Sequence, residues 1–346
     1  MQFDKVSMKD VAIRAGVSTA TVSHVINNSC NVKNETKELV NKAIKELNYR
    51  VNPTARKLRN GQSKTIGFLV SNLSHYFYHE IGAAIEDVLF KKGYELFYIN
   101  SQEDIDKEEK QLEICKLENL AGLIVIPVEE DWINLEPIVR NIPLVFIDRK
   151  PINIRRDSVL ITNAVGSFNL TNELINRGAK KIAFISSKFD NTFKMRVDGY
   201  KDSLEQHNML IDEELIIYGN TRPKVYSQLA ADPEWAEILD YVINEKNVDC
   251  IISGNDLCAF GVIAYLKEHN FILQKDILFG TFDNAFWMKN FREEIIAVEQ
   301  NTKALGEKAA NLLLSRINGD TFVYSDYRIE TKLVSIKQNK VQYLVD

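Results

Sequence analysis

The stretch VAIRAGVSTATVSHVI (residues 11–26) decides the fold of the N-terminal part of the chain. Within it, Ala12 and Gly16 are four residues apart, and Val22 follows six residues later. Two helices joined by a very short turn cross steeply, so only a small side chain fits at the crossing and an apolar one must face it. The stretch therefore predicts a helix-turn-helix.

The ends of the predicted helices follow from local chemistry. Residues 8–15 form the first helix, which Gly16 ends because glycine adopts left-handed backbone angles at little cost. Ser18 is placed to cap a second helix from Thr19 to about Asn27. A third helix, roughly 34–47, supplies apolar residues that close a small core. An unrelated helical hairpin is the alternative, and the basic charge of the segment argues against it.

In a helix-turn-helix the second helix enters the major groove, and its N-terminal side chains meet base edges. The residues expected to contact bases are Thr19, Ala20 and His24, and those expected to contact phosphates are Ser18, Thr21 and Ser23; Asn27, at the end of the helix, is a further DNA-binding candidate. The alternative for His24 is an exposed position without a base contact.

The charge of the chain is divided unevenly. Residues 1–64 hold 12 Lys and Arg against 5 Asp and Glu, whereas the rest holds 31 against 43. A small basic head on a large acidic body predicts that the head alone binds a polyanion. The expected domains are a DNA-binding head at 1–50, a linker at 51–64 and a body at 65–346.

The body predicts two doubly wound α/β subdomains. Short apolar runs alternate with amphipathic helical segments, which is typical of parallel sheets covered on both faces. The first set comprises TIGFLVS (65–71), YELFYIN (94–100), GLIVIP (122–127) and PLVFID (143–148). The second is expected to begin with SVLITN (158–163), and the chain to switch between subdomains near 160 and 290.

Polar residues follow many of these strands, and ligands of such folds bind beyond the carboxyl ends of the strands. Those at strand ends are Ser71, Asn72, Asn100, Asp148, Asn163, Asn255, Asp256 and Asp283. Carboxylates and amides in a shared cleft suit the hydroxyl groups of a sugar. The alternative is that some of them only cap the following helix. Trp287 either stacks on a sugar ring or has a structural role.

Several function classes lack their motifs in this sequence. No phosphate-binding glycine loop or nucleophile elbow occurs, so the sequence predicts no enzyme and no cofactor. The four cysteines are scattered, and His75 and His79 lack the order of a zinc-binding helix, so no metal site is predicted. No apolar run is long enough to span a bilayer, and the N-terminus lacks the apolar core of a signal peptide, which predicts a cytoplasmic protein without a membrane partner.

The head and linker, VSMKDVAIRAGVSTATVSHVINN continuing to NPTARKLRNGQSKTIG, resemble the LacI/GalR family of bacterial transcription regulators. Many members carry Arg where this chain has His24. The resemblance implies that the linker is a hinge helix that becomes ordered on DNA, with Arg56 beside the duplex and Leu58 wedged into the minor groove. Eight residues are too few for a stable isolated helix.

The body is similar, more loosely, to the periplasmic-binding-protein-like effector domain of the same family. The effector-contacting residues that this resemblance implies are Phe77, Asp148, Asn163, Arg196, Asn255, Asp256 and Asp283. Where the family usually has Asp-Asn after the next strand, this chain has Thr162-Asn163, which removes one acid from the expected site.

Together, the residues and the resemblance predict a homodimeric regulator, most simply a repressor, that binds a palindromic operator. Its expected effector is a sugar or sugar derivative, with a nucleobase as the second candidate. A periplasmic sugar receptor is the alternative from another class, and the basic head argues against it. The C-terminal SIKQNKVQYLVD has no sustained heptad, which argues against a tetramer built on a terminal coiled coil.

Overall fold

The structure is a computed structural model that describes residues 6–27, 30, 32–49, 63–186, 191–219 and 233–344. Contacts between residues divide the chain into two units, Met1–Ser63 and Lys64–Asp346. We refer to them as the head and the body.

The head contains three helices, α1 (Met8–Ala15), α2 (Thr19–Asn27) and α3 (Asn34–Glu46). The Oγ of Ser7 and the carboxylate of Asp10 form a capping box at the start of α1, and Gly16 ends that helix with φ of 65°. Such a left-handed residue is where glycine is favoured. The predicted helix bounds therefore agree with the structure to within a residue.

The core of the head is built as the spacing predicts. Ala12 lies buried beside Val22, and Val40 of α3 is fully buried against them. Ile44 and Leu47 pack partly buried on the same cluster. The core is small, so one or two apolar contacts at the helix crossing carry much of its stability.

The body contains thirteen strands among its described residues, arranged in two sheets. The strands are β1 (Thr65–Val70), β2 (Glu95–Asn100), β3 (Gly122–Val125), β4 (Leu144–Ile147), β5 (Asp157–Ile161), β6 (Ile182–Ser186), β7 (Ile216–Tyr218), β8 (Cys250–Ser253), β9 (Leu278–Phe282), β10 (Ile295–Gln300), β11 (Asp326–Ile329), β12 (Thr331–Lys337) and β13 (Lys340–Tyr343). The helices are α4 (Tyr76–Lys91), α5 (Ile105–Leu117), α6 (Glu136–Val139), α7 (Asn163–Asn176), α8 (Asn191–Gln206), α9 (Pro233–Asp240), α10 (Asp256–Glu268) and α11 (Thr302–Ile317).

The first subdomain is built on a parallel sheet with the order β11-β5-β4-β3-β1-β2. The strand β5, which comes from the SVLITN segment, was expected to begin the second sheet. It instead pairs with β4 and β11 in the first sheet. Apolar periodicity identifies a buried strand but carries no information about which neighbour it pairs with, so the prediction for this strand was wrong.

The second subdomain has the order β13-β12-β10-β9-β8-β6-β7, parallel from β7 to β10 and antiparallel beyond it. The chain passes between the sheets after β5, after β10 and again after β11. The sequence indicated two crossings, near 160 and 290, and the structure has the second after Gln300 and a third after Ile329. Three crossings therefore join the two subdomains.

Candidate nucleic-acid interface and effector cleft

The start of α2 is organised by Ser18. Its Oγ accepts the backbone N–H of Thr21 at 3.1 Å and is 2.9 Å from the Thr21 Oγ1. This is the N-cap that the sequence predicts. Thr19 and Ala20, which follow it, are exposed on the outer face of the helix. The first turn of α2 thus presents small side chains and backbone N–H groups at a surface.

The remaining candidates of α2 differ in exposure. His24 is half-buried at the surface, whereas Ser23 is only 8% exposed and lies beside the core residue Val22. The side chain of Ser23 is thus less exposed than those of Thr19 and Ala20, and its contact with a phosphate stays a prediction. The side chain of Asn27, and both Arg56 and Leu58, lie outside the described residues.

In the body, polar residues at strand ends meet in one cleft between the subdomains. Asp148 follows β4 and Asp283 follows β9, and both have left-handed backbone angles, with φ of 66° and 70°. Asn255 follows β8 and also caps α10, accepting the N–H of Cys258 at 2.8 Å. These three residues line the cleft together with Phe77 and Arg196. The cleft lies where doubly wound sheets bind ligands.

Arg196 enters the cleft from α8 and is 6% exposed. Its Nε donates to Asn163 Oδ1 at 2.8 Å, its Nη1 donates to the carbonyl of Gly254, and its guanidinium stacks 3.8 Å above the ring of Phe282. Asn163, at the start of α7, is buried and orients Arg196. Asn163, which the sequence analysis expects to contact the effector, thus contacts the cleft residue Arg196 and does not itself line the cleft.

Two carboxylates and a histidine meet on the second-subdomain side of the cleft. Asp256 Oδ1 lies 3.3 Å from His75 Nε2, and the backbone N–H of Asp256 donates to Asp283 Oδ2 at 3.3 Å. Burial, followed by the charge of Asp256, raises the pKa of Asp283 to about 6, against the opposing effects of Arg196 and His75. Gln300 donates from Nε2 to the other oxygen of Asp283. The carboxyl groups of Asp256 and Asp283 thus lie close together in a buried part of the cleft.

A second polar network on the first-subdomain side was missed by sequence reasoning. Arg149 donates to Glu103 Oε2 and to Tyr78 Oη, both at 3.3 Å, and Tyr78 donates to Asp148 Oδ2 at 3.4 Å. Burial raises the pKa of Tyr78 far above its ordinary value, so its hydroxyl stays protonated. Arg149 directly follows Asp148 in sequence, which is a signal that could have found it.

Other candidates have structural roles. Asn100 Oδ1 accepts the N–H groups of Leu73 and Gln102, so this residue caps the loops. Trp287 packs edge-on against Phe260 and Phe291, with centroids 5.5 and 5.8 Å apart, which favours the structural alternative over stacking on a sugar. His79 is exposed, and it is His75 that reaches the cleft.

A helical DNA-binding head joined to two parallel-sheet subdomains around a polar cleft defines a ligand-responsive transcription regulator. Residues 7–52 match the family model for bacterial regulatory proteins of the lacI family, and residues 63–337 match that for periplasmic binding proteins and the sugar-binding domain of the LacI family. The chain belongs to the lacI family.

Individual relatives agree with this assignment. The chain is 31% identical over 316 residues to the HTH-type transcriptional repressor PurR of Histophilus somni, covering 90% of this chain and 92% of the relative. It is 33% identical over 331 residues to the HTH-type transcriptional regulator RegA of Clostridium saccharobutylicum, covering 95% and 97%. These relatives are bacterial transcription regulators.

Solved structures share the fold. A complex of the transcriptional regulator CelR with cellobiose superposes with a TM-score of 0.69 at 26% identity, covering 95% of this chain and 98% of that one. A lac repressor dimer bound to operator and the anti-inducer ONPF superposes with a TM-score of 0.80 at 23% identity, covering 97% and 99%. Among the described residues, no helix is both long and apolar enough to cross a membrane.

Proposed function

We propose that this regulator is a cytoplasmic homodimer that represses transcription from a palindromic operator. Its affinity for the operator falls or rises when a sugar or sugar derivative binds in the cleft. One helix-turn-helix reads half of a palindrome, which is why two copies are required. The observation that carries the effector part is the convergence of Asp148, Asn255, Arg196 and Asp283, from both subdomains, on one cleft.

The charge balance of the cleft favours a neutral, hydroxyl-rich ligand over an anionic one. Arg149 is paired with Glu103, and Arg196 donates to Asn163 and Gly254. The carboxylates Asp148 and Asp283 accept hydrogen bonds, as sugar hydroxyls supply them. The rings of Phe77 and Phe193 at the wall provide apolar faces for a sugar ring. The cellobiose complex of CelR supports the same class of ligand.

A nucleobase is the second candidate, because the cleft holds aromatic rings on which a flat base could stack. The two classes can be separated by thermal unfolding and calorimetry of the full-length protein. The panel contains glucose, cellobiose, xylulose and sugar acids against adenine, guanine and hypoxanthine. A ligand that binds the native state raises the melting temperature. Stabilisation by purines alone would overturn the sugar proposal.

The DNA part rests on the head. The helix α2 presents Thr19, Ala20 and His24 at its surface, and the segment around it is basic. We place the DNA-binding domain at 1–50, the hinge at 51–64 and the effector and dimerisation domain at 65–346. Operator selection from random duplexes, followed by footprinting, tests this: a palindromic site is expected. A selected site without two-fold symmetry would contradict the proposal that the protein binds DNA as a homodimer.

The family does not consist of enzymes, and we propose no catalytic activity for this chain. The cleft residues serve in binding: Asp148 and Asp283 accept hydrogen bonds, and Arg196 donates them. Recovery of the ligand unchanged after prolonged incubation with the protein is the expected result. Turnover of a bound sugar would contradict it.

A further inference from the structure

His75, Asp256 and Asp283 form a compact cluster of metal-ligating groups. His75 lies just before α4 in the first subdomain, whereas Asp256 begins α10 and Asp283 follows β9 in the second. One ring nitrogen and one oxygen from each carboxylate all lie within 4.8 Å of one another. The side chains of His75 and Asp256 are only 12% and 1% exposed. The cluster therefore joins the two subdomains through largely buried side chains.

The distance between His75 and Asp256 is informative. Their Nε2 and Oδ1 atoms are 3.3 Å apart, which is longer than the roughly 2.7–2.9 Å of a good charged hydrogen bond. A tetrahedral ion with bonds of about 2.0–2.1 Å holds two ligand atoms about 3.3 Å apart. The spacing thus fits two ligands of one metal ion better than a tight ion pair.

Gln300 is an independent observation that points to a ligand at the same place. It is 5% exposed, and its Nε2 donates to Asp283. Its Oε1 is buried and has no hydrogen-bond partner among the residues that the structure describes. Gln300 lines the cleft with His75 and Asp283, and lines the adjoining space with Asp256. A buried amide oxygen without a partner is costly unless a donor or a cation meets it.

The two neighbouring carboxylates of the cluster would also be stabilised by a cation. Asp256 and Asp283 are buried next to each other, and two adjacent carboxylates do not both ionise without compensation. The charges of Arg196 and His75 supply part of it. A divalent ion beside the two carboxylates would add to it.

We propose that His75, Asp256 and Asp283 bind a divalent transition-metal ion, with Gln300 as an additional oxygen donor, and that the ion links the two subdomains across the cleft. One imidazole and two carboxylates suit Zn²⁺, Co²⁺ or Mn²⁺. Together with the amide oxygen of Gln300, these side chains supply the four donors of a tetrahedral ion. The sequence analysis predicted no metal site, because Asp256 and Asp283 are 181 and 208 residues away from His75 in the chain.

The proposal goes beyond the effector function, and the ion needs no sugar to bind. The first test is equilibrium dialysis of the metal-free full-length protein against Zn²⁺, with metal counted per chain. We expect one ion per chain in the wild type and in the control His79→Gln, which alters an exposed histidine four residues away. We expect His75→Gln and Asp256→Asn to lose at least tenfold in affinity for this ion. Thermal unfolding and DNA binding confirm that the variants fold.

Co²⁺ gives a spectroscopic readout. A tetrahedral site with nitrogen and oxygen ligands produces visible absorption that is strong for this ion, and we expect it in the wild type and in His79→Gln but not in His75→Gln. If the wild type does not bind one metal ion per chain, or if His75→Gln binds it equally well, the metal proposal is overturned. The positive charge between the two carboxylates would then come from a shared proton. If the protein binds a sugar but no metal ion, only the metal proposal is overturned. If it binds a metal ion but no sugar, only the sugar proposal is overturned.

Discussion

Glu108, on α5, is a carboxyl group in an unusual place. It is fully buried, its Oε1 accepts the N–H of Val128 at 3.0 Å, and its Oε2 has no hydrogen-bond partner among the described residues. Burial raises the pKa of Glu108 to about 8, more than the N–H of Val128 lowers it. The folded protein therefore holds a proton here at neutral pH, and the unfolded chain, with a pKa near 4.5, does not.

The consequence is a loss of stability as the pH rises. Because the folded state binds the extra proton, its advantage is fully present below about pH 4.5 and is lost by about 1.4 kcal/mol per unit as the pH rises toward about 8. We predict that Glu108→Gln, which keeps an acceptor for Val128, is more stable than the wild type at pH 8 and little different at pH 5. Urea unfolding at the two pH values measures it. An equal effect at both would contradict the buried, protonated state.

At the cleft, the residue that tests the effector assignment is Asp283. Its carboxylate is buried and faces the cavity, so its loss removes a charge-assisted hydrogen bond to the ligand. We predict that Asp283→Ala weakens sugar binding by about 1.5–3 kcal/mol in calorimetry, with operator affinity in the absence of sugar unchanged. Asp198→Asn, an exposed acid on α8, is the control. Normal binding by Asp283→Ala would show that the cleft has been assigned wrongly.

The helix α2 is the element on which sequence recognition depends. We predict that Thr19→Ala or His24→Ala costs about 1–3 kcal/mol on the selected operator and little on random DNA, because base contacts discriminate and phosphate contacts do not. Glu38→Ala, an exposed acid of α3, is the control. Titrations by fluorescence anisotropy at several salt concentrations give both affinities. Equal losses on both duplexes would mean that these side chains do not read bases.

The helices and strands could be predicted from the sequence, but the strands and side chains that they contact could not. The ends of α1 and α2 follow from Gly16 and Ser18, since caps act locally. The placement of β5 in the first sheet is set by its pairing with β4, just before it, and with β11, about 165 residues further along, and apolar periodicity encodes neither pairing. The same holds in the cleft: Asp148 and Asp283 stand at strand ends and were found, whereas His75 and Tyr78 become site residues only through contacts with distant elements.

Exposed apolar residues lie at one edge of the first sheet and on the helices next to it, and we predict that a second copy covers this edge. The strand β2 forms an edge of the first sheet, and Phe97 on it is 54% exposed. Phe90 and Leu117, on the helices before and after it, are 78% and 83% exposed. We predict that Phe97→Glu shifts the protein from dimer to monomer in sedimentation velocity, while Ile133→Glu, at an apolar site elsewhere that is 67% exposed, does not. An unchanged dimer would place the interface on another face.

The coupling between cleft and operator is a property of the whole molecule, and Leu58 is where it can be measured. Leu58 is an apolar residue within the basic stretch NPTARKLRNG, which the family resemblance predicts to be a hinge helix that becomes ordered on DNA. Groups of both subdomains, such as His75 and Asp256, meet in the cleft, and we expect an effector bound there to change how the subdomains are oriented. A rotation of one subdomain against the other changes the separation of the two linkers of a dimer. We therefore expect the effector to shift the ordered fraction of the hinge on DNA, with a coupling of about 1–3 kcal/mol.

We therefore predict that Leu58→Ala loses the minor-groove wedge, binds the operator more weakly, bends it less and responds less to the effector. Its affinity for the effector in the absence of DNA should be unchanged, because the cleft is built entirely from body residues. Energy transfer on an end-labelled operator, at matched saturation of wild type and variant, measures the bend. Gln62→Ala, in the same linker, is the control for a general effect of the substitution. If Leu58→Ala bends the duplex as the wild type does, the linker acts as a tether, and the effector signal must reach the head by another route.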